Sequence, residues 1–255
     1  MQIFQKWCIS ILSLVCITAI SLKVHAEKTT IQIGVQQNMR ATLVTPDGGG
    51  TYPGILLLHT SSGFEQADIT YAEKLAQAGY VVLVPEFLSA YGITAKTRQI
   101  TFTSKAEPIY NDFVAALDTL SHLPKVAGHK IGAIGFSNGG YFSMWLAATN
   151  KVQAGISYYG ALSGAGSDKS LERFSATFNS TSAPVLILHG TNDATVPVSA
   201  AKRLDSIVAS SNTKHETHFY EGADHRFERD DSDANNAAAK DAWIHTLSFF
   251  RQYLN

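Results

Sequence analysis

The chain has 255 residues, 45% of them hydrophobic, and its 20 Lys and Arg nearly balance its 21 Asp and Glu, for a formal charge of −1. That length and apolar content suit one α/β domain with a sizeable core, and the lack of any basic run or stripe excludes a polyanionic partner such as nucleic acid. Both cysteines, Cys8 and Cys16, lie near the start, so the rest of the chain has no thiol for a disulfide, a nucleophile or a thiolate metal site.

The first element is a targeting segment. Lys6 precedes an apolar run from Trp7 to Ile20, and Val24-His25-Ala26 closes it as a small-x-small cleavage signal. The run is too short and too rich in Ser and Thr to read as a membrane span. The expectation is a signal peptide over residues 1–26 and a mature domain over 27–255, exported to a periplasm or the extracellular space. Such a domain would have no membrane association after cleavage. Losing Lys6 and Lys23, with no acid in the segment, takes the formal charge from −1 to −3.

Beyond it, residues 29–35 and 39–45 read as short strands paired antiparallel, and Asp47-Gly48-Gly49-Gly50 reads as a hairpin-type loop. GILLLH (54–59) is an apolar run of the kind buried on both faces. Residues 66–78 form a helix ended by Gly79, and YVVLV (80–84) is a second buried strand stopped by Pro85. Residues 108–123 carry apolar side chains at helical spacing. A strand over 130–135, a helix over 138–149 and a strand over 152–159 follow. The strand PVLILH (184–189), a helix over 197–210, a strand over 214–220 and a closing helix over 235–253 complete the chain. Apolar strands alternating with helices predict a mainly parallel sheet with helices on both faces, as a single domain. Ligands bind such sheets outside the carboxyl ends of the strands.

Ser137 stands at such an end. It follows the strand IGAIG and opens a helix, inside Gly135-Phe136-Ser137-Asn138-Gly139. This is G-x-S-x-G in the strand–turn–helix context that gives the pattern meaning. The glycines let a strained turn lift the hydroxyl clear of the sheet, and the helix start aims backbone N–H groups at developing negative charge. The competing reading is a plain helix cap.

A serine nucleophile needs a base, and the base an orienting carboxylate. Asp193 lies in the loop after PVLILH, and His225 in the Gly-containing loop after KHETHFY. Their order, Ser then Asp then His, is the one this architecture uses. His59 and His189 close buried strands and read as structural. His215-Glu216-Thr217-His218 looks like a zinc-protease motif but is one residue short, and in a strand its two rings face opposite sides. No metal or organic cofactor is expected.

Taken together, Gly135–Gly140, the HGTND…VP segment and the GADHRF segment resemble the dienelactone hydrolase family of the α/β-hydrolases, from about Gly54 to the last helix. The resemblance implies an α/β-hydrolase fold, a Ser137–Asp193–His225 triad and hydrolysis of a small-molecule ester or lactone. The oligomeric state is not readable from the sequence, and a monomer is the favoured expectation. Two residues depart from the family pattern. Dienelactone hydrolases proper carry cysteine in place of Ser137, and a glutamate in the loop that here reads His59-Thr60-Ser61-Ser62-Gly63. The serine-type relatives resemble general esterases. By position, Ser61 supplies one oxyanion N–H, with Thr60 the alternative, and Asn138 the other. Arg229 lies where the family carries a carboxylate-binding arginine, and Arg226 adjoins the base. Either could hold an acidic acyl group, unless Asp230 and Asp231 simply neutralise Arg229 as a solvated surface charge. The long connection over 85–108, with Phe87, Tyr91 and Phe102, and the loop over 163–181, with Phe174 and Phe178, are candidates to border the pocket, as lids often do. A peptidase or acyltransferase on the same fold, or a binding protein whose chemistry has lapsed, are the competing readings.

Overall fold

The computed structural model describes residues 24–33, 37–160 and 167–254. The expected signal segment, except Val24-His25-Ala26, lies outside them.

An eight-stranded sheet organises the chain in the order β1-β2-β4-β3-β5-β6-β7-β8. The strands are β1 (Val24–Ile33), β2 (Gln37–Pro46), β3 (Tyr52–Leu58), β4 (Val81–Pro85), β5 (Val126–Phe136), β6 (Ala154–Tyr158), β7 (Val185–Gly190) and β8 (His215–Tyr220). β1 pairs antiparallel with β2, and β2 antiparallel with β4. Every other pairing is parallel. The sheet is thus mixed and mainly parallel. The Gly48–Gly50 loop does not close a hairpin: β2 and β3 are separated by β4, because β3 takes the interior position that its unbroken apolar run demands.

Period-two alternation divides the strands between two cores. In β3, Leu56 and Leu58 face one side and Ile55 and Leu57 the other, and all four are fully buried. In β4, Val81 and Leu83 oppose Val82 and Val84. Helices α2 (Phe87–Ala90), α3 (Ala106–Ser121), α4 (Asn138–Ala148), α5 (Ser167–Thr177) and α6 (Val198–Ser210) contribute to the first core. Helices α1 (Gln66–Gln77) and α7 (Asp233–Leu254) cover the second. Each strand face therefore has its own apolar partner, which is why these strands read as continuous hydrophobic runs.

Two connections expected to be irregular carry structure. Residues 85–108 hold α2 and a 3-10 turn at Arg98–Phe102. Within 163–181 lies α5, anchored by buried Leu171 and Phe174, with Phe178 just beyond it. Those three side chains fall at i, i+3 and i+7, one helical stripe in an otherwise polar segment.

Candidate active site

Three loops at the carboxyl ends of β5, β7 and β8 meet at one point. The first is the β5–α4 corner. Ser137 sits there at φ 51° and ψ −110°, a conformation L-residues avoid. It is held from both sides: its N–H donates to the Tyr158 carbonyl at 2.9 Å, and the Tyr141 N–H donates to its own carbonyl at 3.1 Å. The corner is this tight because α4 presses onto the sheet. A Cβ on Gly135 would come within 2.1 Å of Gly139, and one on Gly139 within 2.1 Å of the Leu58 carbonyl oxygen. The glycines of the motif are thus required by close approach.

The second and third loops are laced together. The Thr191 N–H donates to the Tyr220 carbonyl and the Asn192 N–H to the Ala223 carbonyl. A Cβ on Gly190 would meet that Ala223 oxygen at 2.2 Å. This lacing brings Asp193 and His225 into contact across 32 residues. His225 Nδ1–H donates to Asp193 Oδ2 at 2.7 Å, and Ser137 Oγ lies 3.2 Å from His225 Nε2. Asp193 Oδ1 accepts the N–H groups of Thr195 and Val196, at 2.8 and 2.7 Å. Burial by itself would raise the Asp193 pKa. The hydrogen bonds from His225 and Val196 outweigh it and hold the carboxyl below its ordinary value. The carboxylate is therefore ionised and fixes the imidazole tautomer, with its lone pair toward the serine. The Tyr159 ring packs against His225 with centroids 4.5 Å apart.

His59 and His189 are fully buried, and neither lines the cleft described below. Their rings donate from Nδ1–H to the Thr60 carbonyl and from Nε2–H to the Val196 carbonyl, and burial lowers both pKa values.

A cleft of about 420 Å³ opens over these groups. Thr60, Ser61, Asn138 and Arg226 line it beside Ser137 and His225. The Asn138 N–H, first in α4, has no acceptor within its own helix. Its side chain donates from Nδ2 to Thr101 Oγ1 at 2.6 Å, tying the 3-10 turn to the corner. That turn places Arg98, Gln99 and Phe102 on the cleft wall. Of the aromatics named from sequence, only Phe102 lines the cleft. Phe87 is fully buried and stacks on His59, Tyr91 hydrogen-bonds Asp112, and Phe174 packs on Tyr141 in the core. Arg98 and Gln99 went unnoticed because nothing in the sequence marks their turn as folding back over the serine.

Arg229 departs from both sequence readings. Its side chain is only 6% exposed and does not line the cleft. It donates to Glu65, Asp68 and Glu228 at 2.9, 2.6 and 2.7 Å. These three acids, two of them at the start of α1, take all its directions, and Asp230 and Asp231 are not its partners. Arg226 shares Glu65, at 3.1 Å, while lining the cleft.

Residues 39–254 match the dienelactone hydrolase family. A protein of Synechocystis sp., provisionally named carboxymethylenebutenolidase, is 27% identical over 241 residues, which cover 89% of this chain and 98% of that one. A crystal structure from Klebsiella pneumoniae, provisionally assigned as a dienelactone hydrolase, superposes with a TM-score of 0.78 at 26% identity, covering 91% of this chain and 100% of that one. A dienelactone hydrolase-like promiscuous phosphotriesterase from metagenomic libraries shares the fold, with a TM-score of 0.74 at 20% identity over 91% of this chain and 99% of its own.

Proposed function

The chain belongs to the dienelactone hydrolase family, a hydrolase family acting on esters and lactones, and from that premise we propose that it is a serine-dependent carboxylic ester or lactone hydrolase. The observation that carries the reading is the His225 ring, hydrogen-bonded to Asp193 through one nitrogen and within reach of Ser137 Oγ through the other.

In this mechanism His225 Nε2 takes the Ser137 proton as Oγ attacks the carbonyl carbon. The oxyanion lies against the N–H groups of Asn138 and Ser61, each such donor contributing about 3–4 kcal/mol of transition-state stabilisation. His225 then gives the proton to the leaving alkoxide. Water, deprotonated by the same nitrogen, releases the acid from Ser137. Asp193 keeps its charge throughout and stabilises the imidazolium.

The test is turnover of p-nitrophenyl esters of graded acyl length by wild type and Ser137→Ala. Short acyl chains are expected to be preferred, and the variant to lose about 10⁴-fold or more in kcat. A fluorophosphonate should label the wild type at Ser137 alone. Unchanged turnover in the variant would remove the serine from its role.

The export reading carries over as part of the proposal. Its support is the sequence of residues 1–26.

A further inference from the structure

The outer strand β8 and the last helix bring together side chains far apart in sequence. Residues alternate faces along β8. His215 and Thr217 turn toward α6, where both reach Asp205. Glu216 and His218 turn the other way, toward α7. There His218 meets the His245 ring, with centroids 3.6 Å apart and planes tilted by 31°. The apparent zinc-protease motif is thus split between two faces, as its spacing demands. Two of its members nevertheless gain a third partner from the helix.

We propose that Glu216, His218 and His245 form a binding site for one divalent transition-metal ion of the Zn2+ type. One ligand atom from each lies within 4.8 Å of the other two. Around a tetrahedral ion with bonds of about 2.0–2.1 Å, donor atoms stand about 3.4 Å apart, so modest side-chain rotation closes the set. The side chains have room for it, since all three are partly exposed and an ion can enter from solvent. Two neutral imidazoles and a carboxylate are a donor set suited to Zn2+. The Asp241 carboxylate, 3.3 Å from His245 Nε2 and one turn before it on α7, adds a second negative charge. The two acids together balance a dication. Ring stacking accounts for the contact between the imidazoles. It gives no reason for a carboxylate to approach each Nε2, at 3.9 Å from Glu216 to His218 and 3.3 Å from Asp241 to His245.

None of the four residues lines the catalytic cleft. The ion's role is to fasten α7 to the last strand, and the site stands independently of the hydrolase reading.

The experiment uses the full chain without an affinity tag. Zn2+ is competed against a chromophoric chelator, and Co2+ is added separately to read ligand-field absorption. Wild type is expected to bind one equivalent. Affinity should fall at least about tenfold in each of His218→Asn and His245→Asn, and stay at the wild-type value in His215→Asn, whose ring lies on the opposite face. Zinc should raise the unfolding midpoint of wild type and His215→Asn by a few degrees and leave that of His245→Asn in place. Circular dichroism checks that each variant is folded, and all three should keep wild-type ester hydrolysis. Absence of stoichiometric binding would overturn the proposal. So would equal affinity in wild type, His218→Asn and His245→Asn, which would move the ion elsewhere, for instance to Cys8 and Cys16.

Discussion

At residue 137 the backbone accepts strain of about 1–3 kcal/mol in exchange for placement. The strain survives because the neighbouring main chain leaves nowhere else to go, with Leu58 and Gly139 in near contact. Gly139→Ala is therefore expected to destabilise the protein by about 3 kcal/mol or more in urea unfolding, since the methyl group meets backbone that cannot rotate away. Asp193 gives a second test. Its pKa is depressed in the folded state, so its contribution to stability is complete above the unfolded carboxyl pKa of about 3.9 and is lost as pH falls through the lower, folded value. The stability gap between wild type and Asp193→Asn should hold steady above about pH 4 and narrow below it in an acid unfolding series. At neutral pH the same variant should lose about 10⁴-fold in kcat while still folding. The loops that hold Ser137 and Asp193 were legible because each follows an apolar run that reads as a buried strand, and strand ends fix loops in space; His225 follows the polar, half-buried β8 and was legible only from its place after Ser137 and Asp193 in chain order.

Between elements, the segment that carries the base is tied to α1. Arg229 reaches back 164 residues to Glu65 and 161 to Asp68. Its neighbour Glu228 accepts the hydroxyl of Tyr159, the residue packed on His225. This buried cluster takes up Arg229 and keeps it off the cleft wall. Arg229→Met leaves Asp68 and Glu228 without their cation and Glu65 with Arg226 alone, and is expected to destabilise by about 3–5 kcal/mol in chemical denaturation. Once the loss of folded protein is corrected for, KM for an ester with a free carboxylate should be unchanged. A KM that rises only for that substrate would return Arg229 to the binding site. Sequence could not show this, because a charge pattern of R-D-D looks self-neutralising while the true partners are far away. Helix α5 was missed for a different reason: three apolar residues at one stripe were outweighed by eight polar neighbours.

Across the whole molecule, the parallel centre of the sheet was readable because both of its faces are buried and its strands are apolar throughout. The antiparallel border was readable as strands, but its neighbours were not, since local turn residues say little about which strand lies two positions away. That border bears on the N-terminus. β1 begins at Val24, so cleavage after Ala26 would leave Glu27–Ile33 still paired with Gln37–Leu43. Mass spectrometry of protein recovered from the exporting host is expected to find Glu27 as the first residue; an intact Met1 would end the export reading.

The opposite border has a consequence of its own. Among the described residues β8 has a neighbour on one side only, and none of its six residues is fully buried. A strand in that position offers unpaired backbone groups to any other chain that approaches. Its polar row of His215, Glu216 and His218, continued from Lys214, makes that approach costly, because water would have to be stripped from each of these side chains. The chain's resistance to fibrous aggregation should therefore depend on those few side chains, well away from the serine.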